Sequence, residues 1–186
     1  MGTRGLYGFR KNKIDKVTYN HSDSYPEWLG EEVVKFIRET TVEEMREIVD
    51  KIVLVDDTMM PTDEELVYFK LTGKWNGDVN KFDWYTYLRD YQGNLSTYKD
   101  NLKYMSDDID FIKHSLHCEW AYIINLDEMV LEVYKGFQNK PNNTRYYKEP
   151  YVAHSGDKYY PCDLIATYPL NDIPTDWVNQ LGSDVA

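Results

Sequence analysis

The sequence predicts an α+β protein in which an antiparallel sheet, built from an N-terminal and a C-terminal hairpin, is covered by a helical insert. Three observations lead to this class. Bulky and small residues alternate at the start of the chain, helical spacing fills approximately residues 27–115, and alternation returns after Cys118. Since 186 residues, 42% of them hydrophobic, are enough for one core, we expect a single domain over residues 1–186.

The N-terminal hairpin is predicted from two short apolar runs, residues 6–9 and 17–19, on either side of a polar turn. A polar loop closed by Pro26 follows, and the first helix begins after it. Thr41 with Glu44, and Thr62 with Glu65, have the spacing of capping boxes and predict the starts of two more helices. The third helix is expected to stop at Gly73, before a loop over residues 75–81.

The second half of the insert begins with an aromatic stripe at helical spacing, which we interpret as core. Residues 95–112 predict one or two further helical pieces. The clearest hairpin joins residues 120–126 to 130–137, and a last strand and a short closing helix are expected at residues 164–168 and 172–181. The stripe consists of Trp84, Tyr87, Leu88 and Tyr91.

Charge restricts the classes of partner. Asp and Glu number 32 against 21 Lys and Arg, a net charge of −11, so neither duplex nucleic acid nor an anionic membrane is an expected partner. Residues 31–65 carry twelve acidic against four basic side chains. Such a segment is either a functional face that imitates a polyanion or an ordinary solvated surface. Two cysteines, without a signal peptide or an apolar span, predict a cytoplasmic location.

The densest group of polar residues lies near the N-terminus. A histidine beside an aspartate can act as a general base, and an arginine nearby can hold an anion. The alternative is structural: the polar residues cap a loop and Arg4 pins it through a salt bridge to Asp23. As ligand-binding candidates the sequence offers Arg4, Asn20, His21, Asp23 and Tyr25, with Arg145 as a possible addition.

The same stretch resembles the N-terminus of a family of uncharacterised small proteins of bacteriophages and some bacteria. The similarity extends to the hairpin at residues 120–136 and implies a phage setting without implying a reaction. A fainter resemblance is to N-terminal-nucleophile amidohydrolases, but Gly2 would be the first residue after removal of Met1 and has no nucleophile. The residues that carry the first resemblance are Thr3, Arg4, Gly5, Tyr19, His21, Asp23, Tyr25, Pro26, Leu29 and Gly30.

Metal and cofactor chemistry is weakly indicated. His114 and His117 share a helical spacing, but a zinc site needs a third and usually a fourth ligand, and only His154 and Cys162 remain as distant candidates. The acidic pairs at residues 56–57 and 107–108 could hold a divalent cation, but neither has the alternating oxygen ligands of a calcium loop, so we expect them to cap helices instead. We expect neither a metal nor a cofactor.

These observations favour a phage-encoded acidic binding protein of the host cytoplasm that inhibits a host defence factor, most concretely a nucleic-acid-binding complex such as CRISPR, without acting as an enzyme. The alternative is a protein that binds an anionic or nucleotide signal, or an N-terminal-nucleophile-like hydrolase, using the Arg4 group. The host protein or ribonucleoprotein would present a basic surface. The residues expected to contact it are Glu43, Glu44, Glu47, Tyr146, Tyr147, Tyr151, Tyr159 and Tyr160.

Overall fold

A five-stranded sheet is the centre of the protein. The computed structural model describes residues 2–72, 82–100 and 102–183. Its strands are β1 Gly5–Lys11, β2 Ile14–Asn20, β5 Trp120–Asn125, β6 Val130–Lys135 and β9 Asp163–Pro169. They lie in the order β2-β1-β5-β6-β9, and all neighbours are antiparallel except β1 and β5. The predicted α+β class with a mostly antiparallel sheet is therefore confirmed.

Both predicted hairpins are present. β1 and β2 pair from Gly5↔Asn20 to Lys11↔Ile14, which leaves Asn12 and Lys13 as a two-residue turn with φ of 53° and 63°. Positive φ at both positions is the geometry of a type I′ turn, whose twist matches that of the strands. The Asp127 carboxylate, in the turn between β5 and β6, accepts both turn amides at 2.7 and 2.8 Å. The two hairpins are thus joined at their turns.

The parallel pairing of β1 with β5 was not predicted. A parallel neighbour needs a long crossover between the strands, and the insert between β2 and β5 supplies it. The insert contains α1 Glu31–Arg38, α2 Val42–Lys51, β3 Val53–Val55, α3 Asp63–Thr72, α4 Trp84–Leu88 and β4 Tyr104–Ser106. Outside the insert lies a small hairpin whose strands, β7 Tyr151–Val152 and β8 Lys158–Tyr159, have two residues each. The closing helix is α5 Trp177–Ser183.

The predicted helix starts are confirmed by their caps. Thr41 and Glu44 form a complete capping box, with the Thr41 amide donating to the Glu44 carboxylate at 2.8 Å. The Thr62 amide and the Glu65 carboxylate repeat this contact at 2.7 Å. The predicted stop at Gly73 and the loop over residues 75–81 lie outside the described residues.

The segment 102–105 was predicted to be helical, and this prediction is wrong. Residues 104–106 form β4, which pairs in parallel with β3. A short apolar run has no periodicity that separates strand from helix, so the pairing depends on contacts that are distant in sequence. Of the aromatic stripe, Trp84, Tyr87 and Leu88 are buried, as predicted, in the core between the sheet and the insert.

A second apolar cluster lies on the opposite face of the sheet. It contains Leu6, Val17, Ile123 and Tyr134 and is covered by the short helical turn at residues 109–113 and by the segment 138–162. The described helices include none that is long and apolar enough to cross a membrane.

An ion pair between the partly exposed Arg145 and the buried Glu132 fastens the segment 138–162 to this face. The Arg145 guanidinium donates two parallel hydrogen bonds to the Glu132 carboxylate, at 2.8 and 2.6 Å, and its Nη2 lies 3.7 Å from Asp15. Glu132 is 3% exposed and also accepts from Asn125 and Tyr134. Burial opposes ionisation of Glu132, but the hydrogen bonds from Arg145 and Asn125 outweigh it and lower the pKa of the carboxyl.

Arg145→Ala should lower the free energy of unfolding by about 3–5 kcal/mol, because it leaves the buried Glu132 carboxylate without its cation. Denaturant unfolding would measure the loss. Lys148→Ala, at an exposed position of the same segment, is the control and should change stability by less than about 0.5 kcal/mol. Equal stability of the two variants would show that Arg145 does not hold the segment in place.

Candidate functional site

A small cleft opens where the edge strand β2 meets the helical insert. Its volume is about 20 Å³, which is enough for one water-sized group. We call it the tyrosine–aspartate cleft, since five tyrosines and two aspartates line it. Its walls are Tyr7, Thr18, Tyr19, Asp57, Tyr85, Leu88, Tyr91, Gln92, Tyr98, Ser106 and Asp108.

Local hydrogen bonds bring the insert side of the cleft together. The loop after β3 meets the start of α4, where the Trp84 amide donates to Met59 O and the Tyr85 amide to Asp57 O, both at 2.9 Å. Asp83 caps α4 by accepting the Thr86 amide at 2.9 Å. These contacts fix Asp57 and the half-exposed Tyr85 beside each other.

Asp108 forms the sheet side of the cleft. Its carboxylate accepts the Tyr19 amide at 2.9 Å and the Thr18 hydroxyl at 3.3 Å, while its own amide donates to Val17 O at 3.2 Å. Asp108 therefore continues the hydrogen bonding of β2 at an edge where no strand follows. Burial raises the pKa of Asp108 even though the hydrogen bonds from Tyr19 and Ser106 act against the shift.

Asp57 and its neighbour Asp56 have opposite environments. The pKa of Asp57 is raised, first by burial and then by the negative charges of Asp108 and Asp56. The pKa of Asp56 is lowered, because the Thr58 hydroxyl and amide donate to its carboxylate at 2.7 and 2.9 Å. The charge on Asp57 is thus disfavoured by the fold, whereas the charge on Asp56 is stabilised.

The tyrosines supply aromatic faces and neutral hydroxyls. Tyr7 OH accepts the Gly93 amide at 2.8 Å, and Tyr98 OH donates to Tyr104 O at 3.4 Å. Burial raises the pKa of both phenols, so both are neutral at physiological pH. The wall combines acceptor oxygens with ring faces, a combination that suits a cation.

Among the residues that the structure describes, no lysine or arginine lines the cleft, although Arg4 hydrogen-bonds to the side chain of the wall residue Tyr19. Neither Asp57 nor Asp108 forms an ion pair with another described residue. The described part of the chain also contains no group of three or more His, Cys, Asp or Glu side chains arranged to hold a metal. The cleft can therefore accept positive charge, and two carboxylates alone would give a metal few protein ligands.

The structure separates the residues of the predicted Arg4 group. Arg4 Nη2 lies 3.0 Å from His117 Nδ1, and the described residues contain no Arg4–Asp23 ion pair. Asn20 is buried and donates to Ser22 O and Ser24 Oγ within its own loop. These partners give Arg4 and Asn20 structural contacts in place of a shared ligand pocket.

The other candidates of that group are dispersed as well. His21, Asp23 and Tyr25 are exposed on the loop, with His21 Nδ1 3.2 Å from Tyr19 OH. Asp23 has a φ of 55° and its carbonyl accepts the Leu29 amide. Arg145, the possible addition to the group, is engaged by the Glu132 carboxylate at 2.6 Å.

The glutamates predicted to contact a partner differ in how free their carboxylates are to do so. Glu43 and Glu47 are exposed on α2, whereas the carboxylate of Glu44, also exposed, is held in the capping box with Thr41. Replacing Glu44 would therefore disturb the start of α2 as well as the surface charge. Glu47 lies 4.0 Å from Lys51 in a fully solvated pair.

The tyrosines predicted to contact a partner also differ in their exposure to solvent. Tyr147 is 55% exposed and Tyr151 is 39% exposed, while Tyr159 and Tyr160 are half-buried. Tyr146 is 7% exposed, packs on the ring of Tyr134 and receives a 2.7 Å hydrogen bond from Arg145. Tyr146 belongs to the second core and cannot anchor a partner, which corrects its prediction.

Two of the residues that line the cleft were considered as cation ligands from the sequence alone. Each acidic pair, at residues 56–57 and 107–108, was considered as a cation ligand, and one member of each pair lines the cleft. Their convergence could not be read from the sequence, since about fifty residues separate them. The tyrosines come from five different places in the chain.

The exposed carboxylates of the insert give its surface an excess of negative charge. Between residues 31 and 65, nine acidic side chains are exposed, and seven of them form no ion pair with a described residue. The nearby Arg38 and Arg46 donate to backbone carbonyls, at 3.3 Å to Ile173 O and 2.6 Å to Leu126 O. The acidic excess of the segment therefore remains at the surface.

No protein-family model matches the chain, and no curated protein or solved structure matches it. The resemblance to the phage-associated proteins thus stays a prediction.

Asp57→Asn should make the protein more stable at neutral pH. A carboxyl whose pKa is raised by folding stabilises the fold only below its unfolded pKa of about 4, and that contribution is lost as the pH rises through the folded pKa. Removing the charge should therefore raise the melting temperature at pH 7, and the gain should disappear below pH ~4.

Asp56→Asn is the matched control with the opposite expected sign. Folding lowers the pKa of Asp56, so its contribution to stability is present above the unfolded pKa and is lost as the pH falls. The variant should be less stable than the original protein at neutral pH. Melting curves from pH 3 to 8 would test both, and a loss of stability in Asp57→Asn at pH 7 would contradict the assignment of Asp57.

Proposed function

We propose that this chain is a binding protein for a partner with a basic surface, and that it acts by occupying that surface. The observation that carries the proposal is the tyrosine–aspartate cleft, in which Asp57 and Asp108 are partly buried and have no ion-pair partner in the described part of the chain. Groups held in an unfavourable charge state by the fold are characteristic of functional sites. A cation from a partner would remove that cost.

The acidic helices support the same proposal at longer range. The unpaired carboxylates of the insert produce a negative field, which accelerates encounter with a positive surface and repels polyanions. Such a surface also suits a protein that occupies a site where phosphates would otherwise lie. Glu43 and Glu47 contribute to this field and lie on the outer side of α2.

The more specific proposal is a phage-encoded inhibitor of a host defence complex that binds nucleic acid, of the anti-CRISPR type. Its support is the acidic surface together with the resemblance of the N-terminal stretch and the second hairpin to phage-associated proteins. A complex that holds a guide and its target has a basic channel, which fits this charge. Inhibition by occupancy would be stoichiometric.

The alternative, an anionic-ligand site or a hydrolase built on the Arg4 group, has less support. Arg4 lies against His117, Asn20 is bonded within its loop, and Arg145 binds Glu132. Cations engaged in this way are not available to hold a phosphate or a carboxylate.

Reversing two acids of α2, Glu43→Lys with Glu47→Lys, should slow association with a basic partner by about tenfold or more at low salt, because the attraction is long-range. Stopped-flow association with a fluorescent cationic peptide would measure the rate at about 0.05 and 0.5 M salt, where the screening length falls from over 10 Å to a few ångströms. The original protein should lose most of its rate advantage at the higher salt. Glu44 is left unchanged because it caps the helix.

The control for this experiment changes the net charge equally at another place. Glu149→Lys with Asp157→Lys alters two exposed acids of the segment that covers the opposite face of the sheet. This variant should associate at nearly the original rate. Equal rates for all three proteins at low salt would show that the acidic helices are only a solvated surface.

A further inference from the structure

We propose that the tyrosine–aspartate cleft binds a primary ammonium group, supplied in the complex by a lysine side chain of the basic partner. This inference rests on the proposed function and names the group that is recognised. It depends on the size of the cleft, on the charges and hydroxyls of its wall, and on the apolar surface beside them.

The size of the cleft favours an ammonium over a guanidinium. A volume of about 20 Å³ admits one water-sized group. The lysine ammonium is compact and carries three rotatable donors, whereas the arginine guanidinium is a rigid planar fork with five. A guanidinium would require the walls to move apart.

The wall provides acceptors for those donors. Asp57 and Asp108 contribute carboxylate oxygens, whereas the amide oxygen of the lining residue Gln92 already accepts the His21 amide at 3.1 Å. Two negative charges meet one positive charge, so a bound ammonium compensates the repulsion between the carboxylates. Because no cationic side chain lines the cleft among residues 2–72, 82–100 and 102–183, the two carboxylates have no ion-pair partner there and can accept a positively charged ligand.

The remaining wall suits the stem of the same side chain. Ring faces of tyrosines attract a cation within about 6 Å and also pack against methylene groups. Leu88 adds an aliphatic surface, and Tyr85, 38% exposed, lies at the boundary between the cleft and solvent. Met59 and Met60, each 60% exposed, follow Asp57 in the chain and extend the apolar surface on that side.

The experiment compares octalysine with octaarginine, titrated into the full chain at equal ionic strength and followed by fluorescence anisotropy. We expect octalysine to bind about tenfold more tightly, since a preference of this size corresponds to one cation-binding contact. Asp57→Asn should abolish the preference, although it should be at least as stable as the original protein at neutral pH. Asp56→Asn should keep the preference.

Asp108→Asn provides a second test within the cleft. The amide oxygen can still accept the Tyr19 amide, so the edge of β2 keeps its hydrogen bond while the negative charge is removed. The preference for octalysine should again be lost. If this variant does not fold, Asp57→Asn decides alone. Octaarginine binding as tightly as octalysine, or a preference unchanged in Asp57→Asn, would overturn the inference.

A third ligand, spermidine, separates this inference from the proposed function. If both peptides bind equally and with strong salt dependence, the ammonium site is wrong and the basic-partner proposal stands. If neither peptide binds but spermidine binds and requires Asp57, the ammonium site stands and the ligand is a free polyamine, so the proposed partner is wrong. If none of the three binds, both proposals fail.

Discussion

The parallel pairing of β1 with β5 is the constraint on which the rest of the structure depends. It places β1 inside the sheet, with β2 on one side as an edge strand and the C-terminal hairpin on the other. The chain must therefore leave β2, cross one face of the sheet and return beside β1. The helices of the insert cover that face, and the cleft forms where the returning chain passes the edge of β2.

Asp108 links this topology to the candidate site. Its amide and carboxylate hydrogen-bond to β2 and so satisfy part of an edge that would otherwise be exposed to pairing with another chain. The same carboxylate is buried in the wall of the cleft. A neutral polar residue could supply these hydrogen bonds, so protection of the edge does not by itself require the negative charge there.

The buried Glu132 and the partly buried Asp108 show the difference between a carboxylate that has an ion-pair partner and one that has none among the described residues. Glu132 has Arg145 as a bidentate partner, and its pKa is lowered in spite of burial. Asp108 has only neutral donors, and its pKa is raised. The first arrangement stabilises the fold, whereas the second costs stability, and such a cost is expected at sites that serve a ligand.

The sequence predicted the features that depend on neighbouring residues. The hairpins follow from alternation, and the helix starts at Thr41 and Thr62 follow from side chains three residues apart. Contacts between distant residues were missed. Arg145 and Glu132 are thirteen residues apart across a loop, and nothing in the pattern around either residue marks the other as its partner.

Contacts between distant residues also explain why the sequence indicated some residues of the cleft but not the cleft itself. Paired acids were visible as possible ligands, but their convergence depends on the strand pair β3–β4, which brings the chain after residue 55 next to the chain after residue 106. One member of that pair, β4, was itself predicted to be helical. The error in secondary structure and the missed site have one origin, a short strand whose stability comes entirely from its distant neighbour.

The acidic helices and the cleft act over different distances, and this division limits what each can contribute to recognition. Exposed carboxylates attract any basic surface, and salt of physiological strength screens their effect beyond about 8 Å. They can increase the rate of encounter but cannot distinguish lysine from arginine. The partly buried carboxylates of the cleft are less accessible to salt and are framed by fixed rings and hydroxyls, so selectivity between cations has to arise there. A partner would thus be attracted by the helices and identified by the group that enters the cleft.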